Sequence, residues 1–134
     1  MSNDIIPKID ITSDLDVLTS RKIVRDECQS IGFSITDITR IVAAASELAR
    51  NIFLYAGKGT MELKRVEREG GKGIELIFED EGPGIEDFES SMQNGFEKFN
   101  GMGLGLRGAK RLMDEMEIIS EIGKGTKITV KKWL

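Results

Sequence analysis

Apolar side chains recur along this chain with two different periods, and the switches between them divide it into elements. Residues Lys8 to Ile11 read as a short extended start. Helical spacing follows: Leu15, Leu18, Ile23 and Cys28 supply the apolar positions of a helix that Asp14 can cap and that Gly32 stops after Ile31. A second helix starts with Thr36 as its cap, and Ile38, Ile41, Val42, Ala45, Leu48, Ala49, Ile52 and Tyr55 keep the period as far as Gly57. Period two then takes over in Met61–Leu63 and Ile74–Leu76–Phe78, and the polar segment Arg68 to Gly73 between them predicts a hairpin. Residues 86–105 have no clean period and read as a short helix and then a mobile glycine-rich loop. Leu106 to Glu115 predicts a helix and Glu117 to Ser120 a strand; after a Gly-Lys-Gly turn, a last strand carries Ile128 and Val130.

The order β-α-α-β-β-α-β-β, with adjacent strands joined by hairpins, predicts an α+β fold. Its expected form is a two-layer α/β sandwich: a mixed, mainly antiparallel sheet with helices on one face. The tetrapeptide Gly-Lys-Gly-Thr occurs at Gly57–Thr60 and again at Gly123–Thr126, each time leading into a strand, and reads as a recurrent turn. A length of 134 residues suits a single domain, 1–134.

Composition narrows the chemistry. Nineteen basic against 23 acidic residues, a net charge of −4, argue against a nucleic-acid binder that works by neutralising phosphates. Nothing approaches the run of ~18 apolar residues that a membrane span needs, so the expectation is a cytoplasmic protein with no membrane partner. The single cysteine, Cys28, suits a reducing compartment and reads as a small core residue. There is no histidine, which removes Ser-His-Asp and Cys-His nucleophile systems, imidazole metal sites and a phosphohistidine relay within the chain. Carboxylates, amides and a bound cofactor remain.

Three segments can carry such chemistry. Glu47 and Asn51 are four apart on the second helix, so their side chains stand one turn above each other, on a line with Arg40 and the small Ala44. The amide oxygen could face a metal, and the carboxylate could orient or deprotonate an attacking hydroxyl. Taken alone, the pair also fits an exposed helix face with a Glu47–Arg50 ion pair. Asp80 ends an apolar strand and precedes Gly82-Pro83-Gly84, where backbone can approach a flat ligand closely. A carboxylate there accepts from an amino group and repels a carbonyl, which would select adenine over guanine; an ordinary acidic turn is the other reading. Gly95, Gly101, Gly103, Gly105 and Gly108 lead into the helix from Leu106, and free backbone N–H groups at a helix start suit a polyphosphate. Gly103 to Gly108 fits G-x-G-x-x-G but lacks the preceding strand of a dinucleotide fingerprint, and neither Gly-Lys-Gly-Thr copy satisfies the P-loop pattern.

In this order, Glu47–Asn51, Asp80–Gly84, Gly101–Gly105 and Gly123–Thr126 resemble the four nucleotide boxes of the GHKL ATPase/kinase superfamily, which includes gyrase and the histidine kinases. Ser46-Glu-Leu-Ala-Arg-Asn-Ile52, Tyr55-Ala-Gly-Lys-Gly59, Glu81-Gly-Pro-Gly-Ile85 and Lys110-Arg-Leu-Met-Asp114 are similar to the small switch serine kinases of the stressosome. The resemblance implies a Bergerat-type ATP-binding fold, with ATP and Mg²⁺ as cofactors. It implies that Asn51 binds the Mg²⁺ and that Glu47 is the general base. Asp80 would bind the adenine amino group, with Gly82 and Gly84 shaping the base pocket and Thr126 supporting Asp80 or its water. Gly101, Met102, Gly103, Leu104, Gly105 and Leu106 would form the lid over the phosphates. The stretch Leu104-Gly-Leu-Arg107 departs from the family pattern, in which proline follows the last leucine, and leaves Arg107 and Lys98 as alternatives at the γ-phosphate. The implied substrate is a serine or threonine of a STAS-domain scaffold protein. The implied later partner is a PP2C-type phosphatase that starts a sigma-factor cascade. An anti-sigma factor that sequesters a sigma subunit and phosphorylates its antagonist is the alternative within the same superfamily.

Overall fold

The structure, a computed structural model, describes residues 8–82 and 102–134, with the backbone alone described for residues 102–105. In chain order it contains β1 (Ile9–Ile11), α1 (Asp14–Ile31), α2 (Ile35–Asn51), one turn of π-helix (Ile52–Ala56), β2 (Gly59–Arg68), β3 (Gly71–Asp80), α3 (Met102–Leu112), β4 (Glu115–Glu121) and β5 (Gly125–Trp133). The strands form one sheet in the order β1-β2-β3-β5-β4. Every pairing among the described residues is antiparallel, in keeping with the mainly antiparallel sheet expected from the sequence. The three helices pack on one another and on one face of this sheet, which gives the two-layer α+β architecture.

Alternation along the strands determines which side chains meet the helices. Leu63, Leu76, Val130 and Met116 form one rank across β2, β3, β5 and β4. Met61, Phe78, Ile128 and Ile118 form the next, with Ile9 of β1 at its edge. Both ranks face the helices and enter the core. The opposite face carries Glu62, Lys64, Glu75, Lys127 and Lys131, an alternation of the kind seen when one side of a sheet is solvated.

The helices begin where short polar side chains replace missing backbone partners, though not at the caps the sequence suggested. Ser13, not Asp14, caps α1, its Oγ accepting from the Asp16 N–H at 3.3 Å. Ser34, not Thr36, caps α2, accepting from the Asp37 N–H at 3.1 Å. Each cap satisfies one donor that the first helical turn leaves open. The buried line of α1 is Val17, Ser20, Val24 and Cys28, whereas Leu15 and Leu18, expected as core positions, are 69% and 56% exposed. Ser20 can occupy that line because its hydroxyl donates to the Val17 carbonyl at 2.8 Å. Cys28 is fully buried as expected, and burial pushes its thiol up to about 12.

Ala44, the small residue on the Glu47–Asn51 line, is fully buried, because α2 is the central helix and packs against both α1 and α3. Helix α3 begins at Met102, four residues before the expected start at Leu106, and ends at Leu112 rather than Glu115, which already belongs to β4. The short helix and loop expected over 86–101 lie outside the described residues.

Candidate nucleotide site

The third rank of the sheet breaks the apolar run. Continuing past Met61–Phe78–Ile128–Ile118, the register brings Ile11, Gly59, Asp80, Thr126 and Ser120 side by side on the helix-facing side of β1, β2, β3, β5 and β4. The core therefore ends in a glycine, a carboxylate and two hydroxyls at one end of the sheet. Asp80 is the centre of this rank. Its Oδ1 accepts the Gly82 N–H at 2.8 Å, and the Thr126 backbone N–H donates to the same carboxylate. Burial pushes the Asp80 carboxyl above its ordinary range, with Glu79 adding to the rise, while the bonds from Gly82 and Thr126 oppose it.

The repeated Gly-Lys-Gly-Thr segments explain how the carboxylate is framed. Both open on a glycine of positive φ, Gly57 at 85° and Gly123 at 82°. One copy delivers Gly59 and the other delivers Thr126 to the two sides of Asp80. At Gly59 a Cβ would stand 2.5 Å from the Glu79 carbonyl and 2.8 Å from Ile52 Cγ2, so only glycine lets β2 run this close.

The second wall comes from α2. Glu47 is exposed one turn before the helix end, on the rim of an open cavity of about 720 Å³ between α1, α2 and α3, whose lining includes Arg21, Arg25 and Gly108. Asn51 is the last residue of α2 and is half-buried. Its side-chain amide nitrogen is shielded from solvent without a hydrogen-bond partner among the described residues. A buried amide left in that state costs about 1–3 kcal/mol, so it calls for a function or a ligand.

The π turn follows at once and connects the two walls. One extra residue per turn at Ile52–Ala56 carries Ala56 against the loop after β3, where a Cβ on Gly82 would lie 2.6 Å from that of Ala56. Single π turns inside helices are frequent at functional sites. The structure thus brings Asp80, Gly82 and Thr126 together and sets Asn51 and Glu47 on the adjoining helix, while Asp80 and Glu47 line different cavities. Gly84, Gly101 and Lys98 lie outside the described residues. Met102, Gly103, Leu104 and Gly105 form the first turn of α3, and Leu106 is fully buried in the core. Arg107 is half-buried on α3.

Sequence reasoning missed Ser120, Gly59 and Ala56 as parts of the site. A signal for Ser120 was present: it lies two positions after Ile118, hence on the same face, and stands opposite Thr126 once β4 and β5 are paired. Its Oγ lies 3.2 Å from Thr126 Oγ1 and donates to the Gly125 carbonyl at 3.3 Å.

A family model described as a histidine kinase-like ATPase domain matches residues 12–132, which include the strand-end carboxylate of Asp80 and the helix-end amide of Asn51. The chain belongs to this family, in its branch of RsbT-type serine/threonine kinases. It is 46% identical over 124 residues to the serine/threonine-protein kinase RsbT of Bacillus subtilis, covering 92% of this chain and 93% of that one. It is 31% identical over 121 residues to an anti-sigma F factor of Caldanaerobacter subterraneus, covering 86% and 83%. In three dimensions it matches a chain of the SiaB–SiaC complex from Pseudomonas aeruginosa with a TM-score of 0.61, covering 98% of this chain and 91% of that one at 16% identity, which speaks to the fold alone.

Proposed function

We propose that this chain uses Mg-ATP to phosphorylate a serine or threonine on STAS-domain scaffold proteins of a stressosome. Once released, it activates a PP2C-type phosphatase in a partner-switching pathway that controls a sigma factor. The 46% identity to RsbT across nearly the whole of both chains supports the substrate and pathway. Action in the cytoplasm fits a chain in which no described helix is long and apolar enough to cross a membrane.

The observation that carries the reading is the sheltered Asn51 side chain one helical turn beyond Glu47, whose amide N–H finds no acceptor among the described residues and is suited to donate to a phosphate oxygen. The amide oxygen is a hard donor suited to Mg²⁺, an ion that usually keeps waters and shares phosphate oxygens rather than sitting in an all-protein cage. No cluster of three or more His, Cys, Asp or Glu exists among the described residues, so one amide together with nucleotide phosphates is a donor set consistent with that habit. Mg-ATP, when bound, supplies the transferable phosphoryl group. Asp80 accepts the adenine amino group, Thr126 holds Asp80 through its backbone N–H, and Gly82 lets the base lie close to the backbone. The first turn of α3 faces the phosphates with its open N–H groups.

Glu47, exposed on the rim of the cavity between α1, α2 and α3, meets the acceptor protein. It takes the proton of the acceptor hydroxyl as that oxygen bonds to the γ-phosphorus and the bond to the β–γ bridging oxygen breaks, leaving ADP. Incubating the purified chain with Mg-ATP and a cognate STAS protein tests this directly. Glu47→Ala is expected to bind ATP as the wild type does and to lose phosphotransfer by about 10²-fold or more. A variant that transfers phosphate at the normal rate refutes the base assignment. The anti-sigma F relatives give a second reading, sequestration of a sigma subunit. Pull-downs against sigma factors and against the phosphatase separate the two.

A further inference from the structure

Gly108 is a glycine with no reason inside the fold. It lies in the interior of α3, where glycine is the least favourable residue after proline. Gly57 and Gly123 answer to a positive φ, and Gly59 and Gly82 to neighbours that a Cβ would strike. Gly108 has neither: its φ is not positive, and a Cβ there would meet nothing within 4 Å. The space it leaves open belongs to the cavity of about 720 Å³ between α1, α2 and α3, with Glu47 on its rim. The floor of that cavity is low as well. Ala43 and Ser46 of α2 line it, three residues apart and hence on one face of the helix.

A second observation points to the same space. Arg21 of α1 lines the cavity, and its Nε–H is shielded from solvent with no hydrogen-bond partner among the described residues. A sheltered donor of this kind calls for an oxygen from outside the fold. Arg25, one turn further along α1, lines the same wall and makes it positive. We infer that the cavity receives a backbone segment of the acceptor protein: the missing Cβ of Gly108 lets that segment lie against α3, Arg21 donates its Nε–H to one of the segment's oxygens, and the acceptor hydroxyl is thereby delivered to Glu47. The lining residues of α2 run from Ile38 to Glu47, about 14 Å of helix at 1.5 Å per residue, which is the length of about four extended residues. Gly108 is a positioning residue for the acceptor, with no part in holding the nucleotide. This rests on the reading of the chain as a protein kinase with Glu47 at the acceptor hydroxyl.

Gly108→Ala tests this, because it moves stability and phosphotransfer in opposite directions. Alanine suits the helix better, so the melting temperature of the free protein is expected to rise by about 2–5 °C. The added methyl group narrows the cavity, so the KM for the cognate STAS protein is expected to rise about tenfold, while the dissociation constant for Mg-ADP, read by isothermal titration, stays at the wild-type value. Arg21→Met keeps the buried stem and removes the unpaired donor. It is expected to raise the same KM and to leave the melting temperature and Mg-ADP binding unchanged. A wild-type KM in either variant overturns the inference. A lowered melting temperature in Gly108→Ala overturns it too, since glycine is then required by the fold, and so does a loss of ADP affinity in step with phosphotransfer, since the cavity then serves the nucleotide. A wild-type chain that binds Mg-ADP but neither binds nor phosphorylates the STAS protein overturns the kinase reading itself, and the inference falls with it.

Discussion

Asp80 shows how one residue can be disfavoured in the free fold and still stand at the centre of the candidate site. Its carboxyl is half-buried at the end of a strand, and burial raises its proton affinity above that of the unfolded chain, whose reference value is 3.8. Below 3.8 both states hold the proton and the residue does not affect stability. As pH rises above that value the unfolded chain ionises first, so stability falls through the window up to the raised folded pKa, and the penalty is complete above it. Asp80→Asn removes this titration. The stability of the variant relative to the wild type is therefore expected to increase as pH is raised from about 3 to 7, measured by urea unfolding of the nucleotide-free proteins. A difference that stays constant over that range would mean Asp80 titrates normally. The same variant presents an amide that can turn a donor toward adenine, so weaker ADP binding is expected beside the altered pH profile.

At the scale of elements, the site depends on the contact between the π turn and the loop after β3. Gly82→Ala would press a methyl group to 2.6 Å from Ala56 Cβ, and Ala56 cannot rotate away because its Cβ is fixed by the backbone. The loop must move, taking with it the N–H that holds Asp80 Oδ1. Overpacking of this kind costs about 1–3 kcal/mol. The expected result is a lowered melting temperature together with loss of ADP affinity; unchanged affinity would place Gly82 away from the base. This contact also marks where sequence reading ran out. Period two located β2, β3 and β5, because their alternate residues are apolar and buried. The helical period located α2, whose apolar stripe includes the fully buried Ile41, Ala45 and Ala49. The face of α1 was misread because its buried line runs through Ser20, a residue that looks polar until its hydroxyl is seen bonded to Val17, while Leu15 and Leu18 remain outside. The caps were misplaced by one and two residues because Ser13 and Asp14, like Ser34 and Thr36, have similar capping chemistry, and only backbone geometry selects between them. The π turn has no sequence period of its own, so Ala56 could not be placed opposite Gly82 in advance. Ser120 joined the site through strand pairing, a long-range fact that no local pattern states.

For the whole molecule, the candidate site draws on residues that are far apart along the chain. Asn51 and the π turn belong to the first half, whereas Thr126 and Ser120 arrive on the last two strands, and Asp80 lies between them in β3. A nucleotide that touches all of them would cross-link the helical layer to the sheet, so its binding energy should appear as global stability. A ligand that binds only the folded state stabilises it by about 2.7 kcal/mol at a hundredfold excess over its dissociation constant. Mg-ADP is therefore expected to raise the melting temperature by several degrees, and chelating the magnesium with EDTA is expected to remove most of that rise. The variants should divide by wall: Asn51→Ala loses the magnesium-dependent part and retains a small shift with ADP alone, Asp80→Ala loses the shift altogether, and Glu47→Ala, which removes the base proposed for the acceptor hydroxyl, retains all of it. Differential scanning calorimetry with and without EDTA reads each case. A shift in Asn51→Ala that still depends fully on magnesium would move the metal to another donor, and an equal shift in Asp80→Ala would move the base elsewhere on the sheet.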